Sequence, residues 1–497
     1  MYELYKPLRN YLRPFSAWSG FGATFAYMQF LQFKRPLPAE LLTFNLSLGV
    51  TKIRAGLHEW TVELLARELL LNSDFGKSGK PFATAEVAFR SMRMIHDLEG
   101  KSWGLHDNRP QDILLQLSRI AFQQFHWQVP ITNSLLARYY RLYAHPPVAS
   151  ILQSELGISV DELFQLVMLL LEEAQHGPIL AFAFMKEAHP SIIAPIEALR
   201  HRISASAKDL RDQARSLQAF DVNWAYSFNP LRACPLVHAG NRASTMCPAP
   251  PLLLRRLTDG LYFDLIRADA RFGQAIGEAF EIYVGDVTKL LAGDALSITG
   301  ETKYGRSEKR SVDWIIVDDS ATLFVECKLA RLDIASQTEI SPTPPFAAAL
   351  ERLAGAIGQL YTSLGEALAG KYPHWQPDGR PIWPGVVTFY EWFAFGPWFY
   401  QTLESLLPAE FTKRGLDVTM LEIYPYFLCS IEEFEGLIIA CKSAGIDTVL
   451  RKKNSVEHRR SITRGFLGEA FPGSLIAAAA AQERGMNGAV FAQTRLK

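Results

Sequence analysis

The sequence has few cysteines, no excess charge of either sign and no long uninterrupted apolar run. The five cysteines are odd in number, widely spaced and without a C-x-x-C pair: Cys234, Cys247, Cys327, Cys429 and Cys441. This pattern argues against a disulfide framework or a zinc ribbon and predicts reduced, mostly buried thiols. The 497 residues include 51 Lys and Arg against 51 Asp and Glu, so the formal net charge is zero. A polybasic protein that coats nucleic acid is therefore excluded.

The N-terminus and the most apolar stretch of the chain carry no targeting or membrane signal. Charges are scattered through the first fifteen residues, and no apolar core of a signal peptide follows them. The apolar stretch Leu163–Met185 is interrupted by Glu172, Glu173, Gln175 and His176, so it is too short to span a bilayer. We expect a soluble, cytoplasmic protein with no membrane partner.

The first part of the chain has helical periodicity. Hydrophobic residues make up 48% of the sequence, enough for sizeable cores, and the length suggests two to four domains. Apolar residues recur at helical spacing in Glu59–Leu71, Thr84–Leu98, Gln111–Phe125, Ser134–Tyr143, Val160–Glu173 and Ile192–Gln218. We therefore predict an all-helical domain over 1–220, followed by a proline-rich lead-in over 221–250.

The second part of the chain alternates helices and strands. Helices are predicted at Arg271–Ala292, Pro345–Ala369, Trp398–Leu407 and Ile431–Ala444, and strands at Ser311–Val317, Thr322–Leu329, Gly385–Phe393 and Asp417–Tyr424. This order predicts an α/β domain over 251–470, with an alanine-rich, weakly specified tail over 471–497. The fold class is thus α + α/β.

Two apolar strands flank Asp318-Asp319-Ser320-Ala321. If Asp319 and Ser320 form a two-residue hairpin loop, Asp313 lies directly across from Glu326. Facing carboxylates in an apolar hairpin repel each other, and a divalent cation would offset that cost. Lys328 projects from the same strand face as Glu326. Two carboxylates and an ammonium on one face suit metal-assisted phosphodiester hydrolysis.

Asp313 followed by Glu326-Cys327-Lys328 resembles the D…(D/E)-x-K signature of the PD-(D/E)XK, or restriction-endonuclease-like, nuclease superfamily. The preceding Gly277-x-x-Phe280-Glu281-x-x-Val284 pattern is similar to the first helix of its Mrr-like and Holliday-junction-resolvase-like members. Gln359 and Tyr361 resemble, at shorter spacing, the Gln/Tyr motif of RecB-like nucleases. The resemblance covers roughly 248–455 and departs from the signature at Val312, where the superfamily often has proline.

The resemblance implies a restriction-endonuclease-like mixed sheet and a set of site residues. Asp313 and Glu326 would bind Mg²⁺, which Mn²⁺ can replace, with the Cys327 backbone carbonyl as a further ligand. Glu281 is favoured over Glu278 as the third acid, and Lys328 would position or activate the attacking water. Ordinary surface acids paired with a lysine are the simpler alternative, but the apolar flanks on both strand faces argue against it.

Two basic clusters flank the predicted hairpin along the chain. Lys303, Arg306, Lys309 and Arg310 precede it, and Arg451, Lys452, Lys453, Arg459 and Arg460 follow it. Either cluster could contact phosphates, or be solvated loop charge. Residues 251–497 contain 26 Lys and Arg against 30 Asp and Glu, so a nucleic-acid groove requires local placement of these cations.

These observations favour a metal-dependent nuclease, with DNA preferred over RNA. A helical domain joined to a single nuclease domain resembles the layout of some bacterial anti-phage defence effectors. The helical domain would then bind a protein trigger or inhibitor, and a homo-oligomer is a compatible assembly. The alternative is a catalytically inactive endonuclease-like fold that serves as a nucleic-acid or protein binding scaffold.

Overall fold

The protein is mostly helical, and its larger sheet lies in the C-terminal half. The computed structural model describes residues 1–42, 57–103, 119–124, 127, 133–240, 244–330, 344–392 and 396–486. These residues form two compact units. The first contains 1–112, 120–131 and 149–272, and the second contains 113–119, 132–148 and 273–497. The predicted division into functional domains at 220 and 250 stays a prediction.

The first unit is built mainly from helices. Its α-helices are Tyr2–Leu12, Ala17–Phe33, Glu59–Asn72, Ala85–Trp103, Pro146–Leu156, Val160–His176, Phe182–Ala188, Ile193–Ile203, Ala207–Leu217, Pro250–Leu257 and Leu261–Ala268. Single 3₁₀ turns occur at Ala39–Leu41, Pro190–Ile192, Trp224–Tyr226 and Pro230–Arg232. Much of the apolar N-terminal segment is buried core, including Tyr5, Phe21 and Tyr27. The helix predicted at Gln111–Phe125 lies largely outside the described residues.

A small sheet makes the prediction of an all-helical domain wrong. Strands β1 (Ile179–Ala181), β2 (Ser204–Ser206), β3 (Leu236–His238) and β4 (Ser244–Met246) pair in the order β1-β4-β3-β2. Strand β2 divides the helix predicted over Ile192–Gln218, because the Ser206 side chain caps a new helix by accepting from the N–H of Asp209. Three-residue strands are too short to show an alternating pattern.

The second unit contains a five-stranded mixed sheet with helices. Its α-helices are Asn133–Tyr143, Phe272–Ala292, Pro344–Leu368, Gly396–Arg414, Met420–Ile423, Ile431–Ala444, Ile446–Lys453, Thr463–Ala470 and Ser474–Met486, with a 3₁₀ turn at Gly293–Ala295. The sheet strands are β5 (Ser297–Gly300), β8 (Trp314–Val317), β9 (Thr322–Lys328), β10 (Ile382–Thr388) and β11 (Phe427–Ser430). Two short strands, β6 (Lys303–Tyr304) and β7 (Lys309–Arg310), form a separate hairpin.

The sheet order is β11-β10-β9-β8-β5. Strands β9, β10 and β11 are parallel, whereas β8 is antiparallel to both β9 and β5. In the β8–β9 hairpin, Trp314 pairs with Val325 and Val317 pairs with Thr322. The Asp318 N–H donates to the Ala321 carbonyl, which leaves Asp319 and Ser320 as the loop. The register predicted from the sequence is therefore confirmed.

Among the other helices and strands predicted for this unit, some are confirmed and one is wrong. The helix Ile431–Ala444 has the predicted bounds, Phe272–Ala292 begins one residue later than predicted, and Pro344–Leu368 is displaced by one residue at both ends. The strand predicted at Asp417–Tyr424 is wrong: Met420–Ile423 is helical, and the edge strand is Phe427–Ser430. Asp417 accepts from the N–H of Thr419, which favours a turn, while Phe427–Ser430 is a fully buried run that parallel pairing requires.

The C-terminal tail contains a helix, and the cysteines are free thiols. Within 471–497, Ser474–Met486 is a helix that buries Ala478 and Gln482, so this part is more defined than predicted, and 487–497 lie outside the described residues. All five thiols are free and all except Cys234 are buried, as predicted. None of the helices described here combines the length and apolar character needed to cross a membrane.

Candidate functional site

The candidate site lies on the β8–β9 hairpin, where two carboxylates are buried. Glu326, on β9, is 1% exposed, and Asp313, immediately before β8, is 9% exposed. Val386 pairs with Glu326 and Thr388 pairs with Lys328, so neighbouring β10 covers this stretch of β9. Buried carboxylates are rare because removing their charge from water is costly. These two side chains therefore need a compensating partner.

Asp313 is held against the opposite strand by a backbone hydrogen bond. Its Oδ2 accepts from the N–H of Cys327 at 2.6 Å. The residue before it is also fixed, because the N–H of Val312 donates to the hydroxyl of Tyr372 at 3.1 Å. The contact with Cys327 places Asp313 opposite the Glu326-Cys327-Lys328 segment.

Lys328 forms a direct ion pair with Glu326. Its Nζ lies 2.6 Å from Glu326 Oε1, and the lysine side chain is 32% exposed. The same Nζ donates to Gln359 Oε1 at 3.4 Å, from the helix Pro344–Leu368. Lys328 thus connects the buried carboxylate to solvent, with Gln359 as a second polar neighbour.

The helix Phe272–Ala292 brings Glu281 toward the hairpin. Its buried stripe contains the predicted residues Ile276, Phe280, Val284, Val287 and Leu291. The indole N–H of Trp314 donates to the backbone carbonyl of Glu281 at 2.8 Å. Gly285, one turn later, leaves room for that indole, since a Cβ there would lie 2.0 Å from the ring. Glu278, the alternative acid, is exposed and accepts from Gln274.

The carboxyl groups of the site have raised pKa values, first because they are buried and then because they lie near one another. Burial raises the pKa of Glu281 to about 7, and repulsion from Asp313 and Glu301 adds to the shift. Burial, then the Asp313 carboxylate, raises the pKa of Glu326, and burial likewise raises that of Asp313. Burial lowers the pKa of Lys328, but attraction to Glu326 outweighs it and the net pKa is raised. One ammonium faces three carboxylates, so the site can accept a cation.

The donor set fits a divalent ion bound mainly by two carboxylates. Asp313 and Glu326 present oxygen ligands, which Mg²⁺ and Mn²⁺ prefer. Glu281 does not join them in a compact triad. Within the described part of the chain, one group of three His, Cys, Asp or Glu side chains has all its ligand atoms within 4.8 Å of one another, and that group lies elsewhere. The geometry thus favours Glu281 as a charged neighbour of the two carboxylates instead of a third metal ligand. The predicted use of the Cys327 carbonyl stays a prediction. The Cys327 side chain itself is buried, as expected for a core residue.

Three of the four predicted phosphate-contacting residues are in ion pairs on the β6–β7 hairpin. Lys303 pairs with Glu308, Lys309 with Glu366, and Arg310 with Glu301. Arg306 is exposed at the same hairpin and enters no ion pair among the described residues. Most of the positive charge on this hairpin is therefore compensated locally.

In the second basic cluster Lys453 departs from the prediction, whereas Arg451, Lys452 and Arg459 are exposed. Lys453 is buried and donates to the carbonyls of His458 and Ser461. Arg459 and Arg460 both pair with Glu404. A lysine in the last turn of a helix can turn its ammonium onto nearby carbonyls, which a charge count does not reveal.

Sequence reasoning missed Glu301 and gave little weight to Gln359. Glu301 influences the pKa of both Glu281 and Asp313, although it lies outside the recognised motif. No sequence signal marks it, because its place depends on pairing of β5 with β8. Gln359 was visible as part of a weak Gln/Tyr pattern. Tyr361 of that pattern is buried, and its hydroxyl contacts the Tyr424 carbonyl instead of the site.

Comparisons with known proteins return no relative. No protein-family model matches the chain, and no curated protein or solved structure matches it significantly.

Proposed function

We propose that the protein is a metal-dependent nuclease that hydrolyses phosphodiester bonds, with DNA as the favoured substrate. The observation that carries the proposal is the pair of buried carboxylates, Asp313 and Glu326, with the Lys328 ammonium 2.6 Å from Glu326. The resemblance to PD-(D/E)XK nucleases supports it. The order of elements along the chain supports it as well, because the β8–β9 hairpin is followed by the helix Pro344–Leu368 and then by β10, which is parallel to β9. A restriction-endonuclease-like fold is part of the same proposal.

Asp313 and Glu326 would hold the ion, and Mn²⁺ could replace Mg²⁺. When bound, the ion would supply an activated water and neutralise charge on the phosphate. The protein itself holds two carboxyl groups in a buried site that disfavours their ionised form. Their repulsion is relieved on binding, which favours the loaded state.

Lys328 would position the attacking water and stabilise charge on the phosphate. Its ammonium lies on the solvent side of Glu326, and Gln359 offers a second polar group beside it. Glu281 would stabilise the ammonium form of Lys328 through its nearby charge. The scissile phosphate would approach from this side, and hydrolysis would leave a 5′-phosphate.

The biological setting that we propose is bacterial anti-phage defence, with the helical part of the chain restraining the nuclease or sensing a trigger. The support is the layout of the chain and the slight negative charge of residues 251–497, which gives little general attraction to DNA. A nuclease of this kind needs a partner or an assembled oligomer to engage its substrate.

The decisive experiment is cleavage of plasmid and single-stranded DNA by the purified full-length protein in Mg²⁺. We expect wild type to cut, and Glu326→Gln and Lys328→Met to lose at least about 100-fold in rate. Lys413→Met is a matched control, because Lys413 is an exposed helix residue paired with Glu410. Glu278→Gln, at an exposed position on the same helix as Glu281, is a second control.

Equal cleavage by wild type and both site variants would contradict the proposal. Binding of DNA without cleavage in Mg²⁺ or Mn²⁺ would favour the non-catalytic scaffold. An RNA arm in the same assay decides the substrate class. For the defence role, cells expressing wild type should resist phage, and cells expressing Lys328→Met should not.

A further inference from the structure

A second cluster of metal-ligating side chains lies near the C-terminal end of the second unit. Glu457 and His458 are in the turn after the helix Ile446–Lys453, and Glu469 is on the helix Thr463–Ala470. One ligand atom from each of these residues lies within 4.8 Å of the other two. The His458 Nε2 is 3.7 Å from Glu457 Oε2. Neither the predicted nuclease motif nor the proposed function uses this cluster.

The histidine is buried, whereas both glutamates are exposed. The His458 side chain is 6% exposed, against 75% for Glu457. Its ring makes no hydrogen bond to any described residue, because the Glu457 oxygen at 3.7 Å is beyond hydrogen-bond range. Here Nε2 lies 3.7 Å from the Glu457 carboxylate, and one ring nitrogen lies within 4.8 Å of an oxygen of Glu469.

The position of His458 is fixed by its surroundings. Its backbone carbonyl accepts from Lys453 Nζ at 2.9 Å and from Ser461 Oγ at 2.7 Å. Its ring packs on Phe466, with ring centroids 5.2 Å apart. These contacts hold the imidazole without using Nε2, which is how a preformed ligand is arranged.

The two glutamates face each other although cations are abundant nearby. Among the described residues, neither Glu457 nor Glu469 is paired with a lysine or arginine. The nearby arginines are directed elsewhere: Arg451 pairs with Asp447, and Arg459 and Arg460 pair with Glu404. The two carboxylates and the imidazole therefore lie together with no lysine or arginine partner among the described residues.

We propose that Glu457, His458 and Glu469 bind a divalent transition-metal ion of the Zn²⁺ class. One imidazole nitrogen and two carboxylate oxygens suit Zn²⁺ better than Mg²⁺, which avoids nitrogen ligands. Ligands of a tetrahedral zinc ion are separated by about 3.4 Å, so the three ligand atoms, 3.7 Å apart for His458 and Glu457 and within 4.8 Å for the other pairs, must move closer together on binding. Water fills the fourth position. The ion would join the turn to the helix Thr463–Ala470.

The test is Zn²⁺ binding by calorimetry and Co²⁺ binding by visible absorption, using full-length protein that carries Asp313→Asn and Glu326→Gln. This background removes the nuclease carboxylates, so the outcome does not depend on the proposed function. We expect one equivalent of Zn²⁺ to bind and to raise the melting temperature. Adding Glu469→Gln or Glu457→Gln should weaken binding at least about tenfold.

Both glutamates are exposed, so their substitution leaves the fold intact, which circular dichroism checks. Glu422→Gln, at another exposed helical glutamate, should bind Zn²⁺ like the background. The proposal is overturned if the background protein binds no Zn²⁺, or if Glu457→Gln and Glu469→Gln bind it with unchanged affinity. Whether the wild-type protein cleaves DNA has no bearing on either of these results.

Discussion

The carboxylate of Asp313 accepts a hydrogen bond of 2.6 Å from the backbone N–H of Cys327, between the two other charged residues of the motif. Asp313 therefore has two separable roles. Its oxygen satisfies a buried N–H on the opposite strand, and its charge contributes to the proposed cation site. Substitutions that keep one property and remove the other distinguish these roles.

We expect Asp313→Asn to lose cleavage while remaining well folded. Its amide oxygen can still accept from Cys327, and removing one anion relieves repulsion with Glu326. Asp313→Ala should lose both cleavage and about 1–3 kcal/mol of stability, because the Cys327 N–H is left unsatisfied. Urea unfolding and the DNA cleavage assay measure the two effects. Equal destabilisation by both variants would contradict the separation.

Stability of the metal-free protein should depend on pH through the site carboxyls. Burial raises the pKa of Glu281 to about 7 and raises those of Asp313 and Glu326. A carboxyl with a raised folded-state pKa stabilises the fold below its unfolded pKa of about 4, and this contribution is lost as the pH rises through the folded value. The melting temperature in chelator should therefore fall as the pH rises from about 4 to about 7.

Glu326→Gln should flatten this pH dependence, because the variant carries no ionisable group at the most buried position. Mg²⁺ should flatten it as well, by stabilising the ionised carboxylates at high pH. Apparent Mg²⁺ affinity should rise over the same interval, since protons compete with the ion below about pH 7. A pH-independent melting temperature in chelator would show that these carboxyls titrate normally.

The contact between Trp314 and Gly285 should control the position of Glu281. A Cβ at residue 285 would lie 2.0 Å from the indole, so Gly285→Ala must displace the ring or the helix. We expect a loss of about 1–3 kcal/mol and reduced cleavage. Gly277→Ala, on the same helix with nothing near its Cβ, should be neutral or stabilising. Similar melting temperatures for the two variants would rule out the clash.

A buried ion pair within the second unit supplies another test. Arg138 Nη2 lies 2.7 Å from Glu435 Oε2, and the Tyr283 hydroxyl donates to Glu435 Oε1 at 2.7 Å. Arg138→Ala leaves a buried charge and should cost about 3–5 kcal/mol by urea unfolding. Arg138→Met with Glu435→Leu should recover much of that loss. If the double variant is as unstable as Arg138→Ala, charge burial is not the cause.

The sequence predicted those parts of the fold whose signals are local and periodic. The helix Phe272–Ala292 follows from its apolar stripe, and the hairpin register follows from two apolar runs around a short turn. The prediction of a strand at Asp417–Tyr424 was wrong, because the same alternation of apolar and polar residues is compatible with a turn followed by a short helix. The strands Ile179–Ala181 and Ser204–Ser206 were missed because their pairing, not their own pattern, defines them.

By itself the sequence determined the register of the β8–β9 hairpin, in which Trp314 opposes Val325, and this register places Asp313 close to Glu326 at the end of the hairpin. It also determined that Lys328 shares the face of Glu326. Only the tertiary structure decided that Glu301 and Gln359 join them, and that Lys453 is buried instead of exposed to phosphates. Such placements depend on how distant segments pack, and no local pattern carries that information.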